Sequence, residues 1–316
     1  MFRRFYPNKI LVTICMLTVF SLIACDSGPE ETEVKISKIG SAENRSNEPK
    51  CLTPLPGGEK IIGSEDDGLT VDATNSGDGY LYVKNTGNLE DVKIQLTCND
   101  SVTYTYIIPK DDSVVPLSLG DGVYTVIGYV GMGEEGMYAT MFAEDIDVKI
   151  SDEFLPYLYP NCYVQFDINS DVVALGKELA AGKASDIEVI AAVYDYVIKN
   201  VTYDHERAAT VKPTYVPNVD QVLKEKKGIC FDYAALMAAM LRSQRIPTKL
   251  EFGYAGDAYH AWITAYIKDE GWINGIIEFD GVDWTLMDPT FAANAGTKKI
   301  KSFIGDGNNY TTKYTY

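Results

Sequence analysis

The chain has 316 residues, more than one ordinary domain, and this length favours two domains. Hydrophobic residues make up 46% of the chain and charged residues 23%, the balance of a globular protein with a sizeable core. With 28 basic and 45 acidic residues the net charge is −17, which argues against nucleic acid as a partner, because binding phosphates needs a surplus of Lys and Arg.

The first 24 residues have the pattern of an export signal. Basic residues precede an apolar run at 10–24, which as a helix would span about 22 Å, short of the ~30 Å hydrocarbon core of a membrane. The run ends in Leu22-Ile23-Ala24-Cys25, which resembles the signal box of bacterial lipoproteins. This resemblance implies that residues 1–24 are removed, that Cys25 is lipidated, and that the membrane holds the chain at its extracytoplasmic face. The alternative is a simple secretory signal with an incidental cysteine.

The next segment is predicted to be a tether. Residues 26–50 contain no aromatic side chain and few large aliphatic ones, so they cannot bury enough apolar surface to offset the entropy of ordering. We therefore predict that residues 25–57 comprise the lipid anchor and a disordered tether. About 25 flexible residues would give a reach of roughly 25–30 Å from the membrane.

Residues 58–151 have the texture of a β domain. Short β-branched or aromatic segments alternate with turns rich in Gly, Asn and Asp. The predicted strands include Tyr80–Lys84, Val92–Cys98, Thr103–Ile108, Val114–Leu119 and Tyr124–Tyr129. Six or seven such strands favour an antiparallel sandwich of immunoglobulin-like type. Chemistry-bearing residues are scarce in this half, so a spacer is expected rather than a ligand-binding module.

A stretch rich in Pro and aromatic residues near 152–163 marks the predicted boundary of a second domain, residues 152–316. Three helices are expected: one capped by Ser185 or Asp186, one opened by Asn218 or Asp220, and an Ala-rich helix over Cys230–Ser243. Strand-like runs follow at Lys249–Tyr254, His260–Ile267, Gly275–Phe279 and Trp284–Met287. Helices followed by strands predict an α+β domain with an antiparallel sheet packed on a helix.

Cys230, His260 and Asp288 fall on three successive predicted elements and are the candidate catalytic residues. Cys230 begins a helix, where unpaired N–H groups and the macrodipole favour a thiolate and can receive an oxyanion. His260 begins an apolar strand and Asp288 ends another, so the carboxylate can orient the imidazole toward the thiol. Taken singly, each has a structural alternative: a buried thiol, a core histidine and a turn former.

No metal or cofactor is expected. The chain has only two histidines, His205 and His260, and no CxxC pair, so the usual zinc sites lack ligands. No calcium-binding loop is recognisable either.

Residues from about 186 to 291 resemble the transglutaminase-like superfamily. The match is carried by motifs in which Cys, His and Asp occur in the order of that family, with His260 lying 30 residues after Cys230. The matching stretches are Ala192–Val197, Val201–Asp204, Gly228–Ala234, Arg245–Pro247, His260–Trp262 and Asp288–Thr290. With the β-rich half, this predicts an immunoglobulin-like β-sandwich followed by a papain/transglutaminase-like α+β domain.

The resemblance implies residue roles. Cys230 would be the nucleophile, His260 the general base and acid, and Asp288 the orienting carboxylate. Tyr203 is a candidate side-chain donor to the oxyanion, although a core aromatic residue is at least as good an interpretation. The loop from Tyr203 to Pro217 is a candidate lid over the groove.

The predicted function is therefore a thiol-dependent acyl-transfer enzyme outside the cytoplasm, acting on amide bonds of surface proteins or cell-wall peptides. Hydrolysis is favoured over transfer to an amine. The alternative is a non-catalytic surface interaction or assembly module with the same fold. Cys51, Cys98 and Cys162 form an odd set, and either one disulfide with a free thiol or three thiols is open.

Overall fold

The computed structural model describes residues 45–109, 112–134, 136–255, 258–274, 278–279, 284–285 and 310–316. The predicted signal, Cys25 and Asp288 lie outside these residues. Among the described helices, none combines the length and the apolar composition that a membrane-spanning helix needs.

Strands of the β-rich half form two antiparallel sheets within the described residues, with orders β1-β2-β3-β6 and β5-β4-β7-β8. The strands are β1 Ile61–Ser64, β2 Leu69–Asp72, β3 Tyr80–Lys84, β4 Val92–Cys98, β5 Thr103–Ile108, β6 Ser113–Pro116, β7 Gly122–Gly131 and β8 Tyr138–Val148. Strand β4 shows why they form: Val92, Ile94, Leu96 and Cys98 are buried, and the residues between them are half-buried. This period of two confirms the strand pattern predicted from the sequence, while the inter-sheet packing type stays a prediction.

The second half contains helices followed by an antiparallel sheet. The helices are α1 Asp171–Ala180, α2 Asp186–Asn200, α3 His205–Thr210, α4 Val219–Glu225 and α5 Cys230–Ser243. The strands are β9 Thr202–Tyr203, β10 Lys227–Gly228, β11 Thr248–Ala255, β12 Ala258–Ile267, β13 Gly271–Asn274, β14 Glu278–Phe279, β15 Trp284–Thr285 and β16 Tyr310–Thr315. The sheet order is β13-β12-β11-β16, and α5 packs on β11 and β12 with α1, α2 and α4 around it.

Local signals placed several elements correctly. The hydroxyl of Ser185 accepts a hydrogen bond from the Glu188 amide at the start of α2, and the side chain of Asn218 caps α4 through the Gln221 amide. Helix α1, helix α3 and strand β16 were not predicted. Strand β16 lies far from β11 in sequence, so its pairing depends on long-range contacts that local periodicity does not encode.

The segment before β1 is bound to the second half of the chain, which contradicts the predicted disorder of residues 45–57. The backbone amide of Lys50 donates to the carbonyl of Ser243 at 2.8 Å. The guanidinium of Arg45 pairs with the Asp186 carboxylate at 2.6 Å. Composition suggested disorder because the segment buries few apolar side chains. Hydrogen bonds to α2 and α5 hold it instead.

An aromatic cluster joins the two halves, and the described residues from the β-rich half to the last strand form one compact unit. Tyr104 and Tyr106 of β5 lie 5.5 and 5.4 Å from the ring of Tyr316, measured between centroids. Tyr163, from the connecting stretch, lies 4.7 Å from Tyr316 and 5.9 Å from Phe231. Such tilted and edge-on contacts stabilise buried rings, so the halves share a core.

Arg242 of α5 is fully buried and binds backbone carbonyls from three segments. It donates to Thr248 at 2.9 Å, to Tyr159 at 2.8 Å and to Tyr316 at 2.9 Å. Burial lowers the pKa of this guanidinium to about 9. The arginine thus fixes the connecting stretch and the last residue of the chain to the helix that begins at Cys230.

The described cysteines are free thiols, which answers the open question about Cys51, Cys98 and Cys162. Cys98 and Cys162 are buried, whereas Cys51 and Cys230 are half-buried. This difference in exposure matters for any chemical test of Cys230.

Candidate active site

Cys230 is the first residue of α5, as predicted. The preceding residue, Ile229, is extended and caps the helix, and its amide donates to Oδ2 of Asp232 at 2.7 Å. A carboxylate at the third helical position that binds the cap amide is a common way to start a helix. The thiol therefore lies at a well-defined helix N-terminus.

Backbone amides converge on the Cys230 sulfur. The amides of Ala261 and Phe231 hydrogen-bond to it, which favours the charged form of the thiol. Ala261 belongs to β12 and directly follows His260. The strand that carries the histidine therefore contacts the sulfur through its backbone.

Burial outweighs these amides, however. The pKa of the Cys230 thiol is raised above its usual value, first by desolvation, and the charge of Asp232 raises it further. The sequence-based expectation of a lowered thiol pKa considered only the helix N-terminus. The packing of β12 and the cleft walls around the sulfur reverses the net direction.

Tyr203 lies beside Cys230. Strands β9 and β10 pair in parallel and place Tyr203 opposite Gly228, two residues before the cysteine. The tyrosine hydroxyl is within hydrogen-bonding reach of both the sulfur and the backbone amide of Cys230. Burial and the proximity of the sulfur raise the pKa of Tyr203 to about 12, so the hydroxyl keeps its proton at neutral pH.

His260 is buried on β12, opposite Gly253 of β11. Its ring stacks on Trp262 with centroids 6.3 Å apart, and the Trp262 indole donates to Glu251 at 2.9 Å. Burial lowers the pKa of His260 to about 4. The imidazole is therefore neutral at physiological pH and able to accept a proton.

Cys230, His260 and Tyr203 line one cavity of about 530 Å³. This volume falls within the range of ~300–1,000 Å³ that is common for ligand sites. Of the predicted site residues, the structure thus brings these three together, while Asp288 and Cys25 lie outside the described residues.

The residues from 204 to 217, which we call the α3 segment, form one side of the cavity. Tyr215 donates a hydrogen bond to Oδ1 of Asp232, whose side chain is fully buried. Arg207 approaches the other oxygen of Asp232 at 3.5 Å and Glu225 at 3.4 Å. These partners were missed from the sequence, although an acid three residues into a helix is itself a capping signal.

Few of the described side chains suit a metal. No group of three or more His, Cys, Asp or Glu side chains in the described part of the chain is arranged to hold an ion.

Residues 173–275 match the family model of the transglutaminase-like superfamily. This part of the chain is a transglutaminase-like domain. The matched range contains Cys230 and His260, the candidate nucleophile and base, and it ends before Asp288. The resemblance inferred from the sequence is thus confirmed, within a mixed α/β protein whose first half is β-rich.

The chain is similar to two uncharacterised bacterial proteins. An uncharacterised protein of Mycobacterium leprae, ML0607, is 28% identical over 183 residues, which cover 52% of this chain and 54% of that protein. The uncharacterised YebA of Bacillus subtilis is 26% identical over 148 residues, covering 40% of this chain and 20% of YebA. The chain therefore spans about half of one relative and a fifth of the other.

Among solved structures, the periplasmic domain of TgpA from Pseudomonas aeruginosa aligns with 66% of this chain and 92% of its own length. The sequence identity is 15% and the TM-score is 0.31.

Proposed function

We propose that the protein is a thiol-dependent acyl-transfer enzyme that works outside the cytoplasm on amide bonds of surface proteins or cell-wall peptides. Cys230 is the nucleophile, His260 the general base and acid, and Asp288 the carboxylate that orients the imidazole. Hydrolysis is the favoured outcome, and transfer to an amine is the competing one.

The observation that carries this proposal is the contact between the sulfur and the histidine strand. The amide next to His260 binds the Cys230 sulfur, and the side chains of both residues face one cavity with the Tyr203 hydroxyl. A nucleophile, a neutral base and a hydroxyl donor around a space large enough for a substrate are the groups that acyl transfer needs.

The reaction starts from neutral groups, because burial raises the pKa of Cys230 and lowers that of His260 to about 4. As the sulfur attacks the substrate carbonyl, the imidazole takes the thiol proton, and a carbon–sulfur bond forms. The imidazolium then protonates the leaving amine as the carbon–nitrogen bond breaks, which leaves a thioester. Water, or a second amine, then attacks the thioester carbonyl while His260 takes its proton. The carbon–sulfur bond breaks, the acid or the new amide leaves, and His260 returns the proton to the sulfur.

Tyr203 is the side-chain donor for the oxyanion in this scheme. Its hydroxyl already bonds to the Cys230 amide and keeps its proton, since its pKa is raised to about 12. The hydroxyl proton and that amide can together receive the negative oxygen. Loss of one such donor lowers kcat by about 10²–10³ in other enzymes, and we expect an effect of that order for Tyr203→Phe.

Alkylation by iodoacetamide tests the proposed activation of the thiol. The matched control is Cys51, because it is half-buried like Cys230. Cys98 is buried, so a slow reaction at that thiol would reflect only its lack of exposure. Cys230 should react roughly tenfold faster than Cys51 or more, and His260→Ala should remove this advantage without changing Cys51. Equal rates at the two cysteines, or no effect of His260→Ala, would count against catalysis.

Turnover separates hydrolysis from transfer. Incorporation of a labelled primary amine into an acceptor protein, lost in Cys230→Ala, would identify a transferase. Release of a free carboxylate without amine incorporation, also lost in Cys230→Ala, would identify the hydrolase that we favour.

A non-catalytic surface module is the second candidate. The observation in its favour is the raised pKa of Cys230, since a thiol that is protonated at neutral pH is a weaker nucleophile than a thiolate. Unchanged binding to a surface protein after Cys230→Ala, together with no turnover, would support it.

The β-rich half, residues 58–151, is proposed to be an immunoglobulin-like sandwich. The support is its connectivity: the chain leaves β3 for β4 and β5 in the other sheet and returns to β6 beside β3. It then ends in β7 beside β4 and β8 beside β7. Such crossing between two sheets is the Greek-key pattern of these sandwiches.

A further inference from the structure

Strand β5 of the β-rich half forms part of the wall of the candidate active site. Thr105 and Ile107 line the same cavity as Cys230 and His260, although they lie more than 100 residues earlier in the chain. Both are half-buried, so they have surface left for a substrate. A spacer would have no reason to contribute side chains to this cavity.

The position of β5 relative to the thiol is fixed by Tyr163. Its hydroxyl donates to the Thr105 carbonyl at 3.4 Å and accepts a hydrogen bond from the Ile107 amide. The ring of the same tyrosine contacts Phe231, the residue after Cys230. Because the hydroxyl occupies the backbone groups of Thr105 and Ile107, a substrate meets their side chains and does not add a strand there.

The described residues that line the cavity are mostly apolar or aromatic. Among the described residues that line it, none is Asp or Glu, and the charged or titratable side chains other than tyrosine and cysteine are Lys212 and His260. The chain as a whole carries a net charge of −17, so a described lining without Asp or Glu differs from the average composition. A basic substrate side chain would find no carboxylate among these residues, whereas an aromatic or branched aliphatic one would contact Ile107 and Phe252, which line the same cavity.

We propose that β5 forms a wall of the cleft that selects the substrate side chain, and we call it the β5 wall. The acyl donor is then a polypeptide with an aromatic or branched aliphatic side chain next to the scissile carbonyl. Ile107 is the specificity-determining residue. This inference rests on the proposed function, since it assigns a substrate class to the same cleft.

Activated esters give the first test. Hydrolysis of the p-nitrophenyl esters of N-acetyl-phenylalanine, N-acetyl-lysine and N-acetyl-glycine is compared for the wild type, Ile107→Ala and the control Val123→Ala. Val123 is an exposed residue of β7 in the same sheet, away from the cavity. We expect the phenylalanine ester to be preferred, and Ile107→Ala to lower its kcat/KM about tenfold through KM, with the glycine ester unchanged. No preference for phenylalanine over lysine, or an equal effect of Ile107→Ala on the phenylalanine and glycine esters, would overturn the inference.

A binding measurement separates this inference from the catalytic proposal. Fluorescence anisotropy follows a labelled hexapeptide with a central phenylalanine on Cys230→Ala, with and without Ile107→Ala, and thermal unfolding verifies that both proteins fold. About tenfold weaker binding caused by Ile107→Ala, with no turnover by the wild type, would support the β5 wall and refute the enzyme. Equal affinities, or no binding, would refute the wall even if the esters are hydrolysed.

Discussion

Replacement of Tyr215 by Phe removes one hydroxyl and tests what holds the α3 segment over the thiol. Helix α3 buries none of its residues, so apolar packing contributes little to its position. The segment is attached to α5 through Tyr215 and Arg207, which both contact the buried carboxylate of Asp232. Since Phe keeps the ring, the variant changes this attachment and leaves the shape of the cavity wall intact.

The expected magnitude follows from the burial of Asp232, whose side chain is fully buried. A hydrogen bond to a charged group contributes about 1.5–3 kcal/mol, so opening of the α3 segment should become easier by about 2 kcal/mol. That change corresponds to an increase of about 30-fold in the open population. Tyr82→Phe is the matched control, because its hydroxyl also donates to a carboxylate, Asp112 at 3.0 Å, but on the exposed surface of β3. We expect less than about 1 kcal/mol from the exposed pair.

The assay is the rate at which a bulky maleimide modifies Cys230, divided by the rate for iodoacetamide, with Cys51 as the internal reference. Tyr215→Phe should raise this ratio by up to about 30-fold, and Tyr82→Phe should leave it unchanged. An unchanged ratio in Tyr215→Phe, or the same increase in both variants, would refute the view that the Asp232 contacts hold the segment closed.

Three further changes have expected outcomes. Because burial lowers the pKa of His260 to about 4, the folded state binds fewer protons than the unfolded one, and stability is lost as the pH falls from about 6.5 to about 4. Between pH 6.5 and pH 4, the free energy of unfolding measured with urea should therefore fall by up to about 3 kcal/mol more in the wild type than in His260→Gln. The same pH dependence in both proteins would contradict the lowered pKa of His260. Gly253→Ala should lower the melting temperature and the alkylation rate of Cys230, because its Cβ would lie 2.0 Å from the backbone oxygen of Thr311; an unaltered melting curve would exclude this crowding. Cys25→Ser should move the protein from the detergent phase to the aqueous phase in cloud-point partitioning, whereas equal partitioning would favour the simple secretory signal.

Local patterns predicted the elements that depend on neighbours in sequence. The alternation in β4 and the caps Ser185 and Asn218 involve residues a few positions apart, and the structure confirms them. The ordered segment at 45–57 was predicted wrongly for the same reason. Its partners, such as Ser243, lie nearly 200 residues away, where composition gives no information.

The candidate site likewise contains residues that local sequence predicts and residues that only the tertiary structure reveals. The helix start at Cys230 and the apolar run at His260, together with the family resemblance, predicted that these two residues face one groove, and both line one cavity. The contribution of β5 to the groove was not predictable in this way. Ile107 reaches the groove because Tyr163 bonds to β5 and packs against Phe231, and nothing in the local sequence of β5 indicates that contact.

The net direction of the Cys230 pKa also depends on tertiary packing. A helix N-terminus predicts a lowered thiol pKa, and the amide of Phe231 does act in that direction. Desolvation has the larger effect, however, and it arises from β12 and the cleft walls around the sulfur. The sequence indicated the helix N-terminus, which lowers the pKa of the thiol, but it gave no measure of the burial that raises it.

The segment that matches the family, residues 173–275, does not by itself complete the cleft. Strand β16 pairs with β11 and brings Tyr314 and Tyr316 to the cavity, and β5 brings Ile107 from the other end of the chain. Arg242 fixes Tyr316 from inside the matched segment, so the common core also anchors the outer wall. In the proposed enzyme, the core therefore supplies the thiol and the imidazole, while the added segments determine which acyl group reaches them. Specificity can then change through β5 and β16 without disturbing the groups that carry out the chemistry.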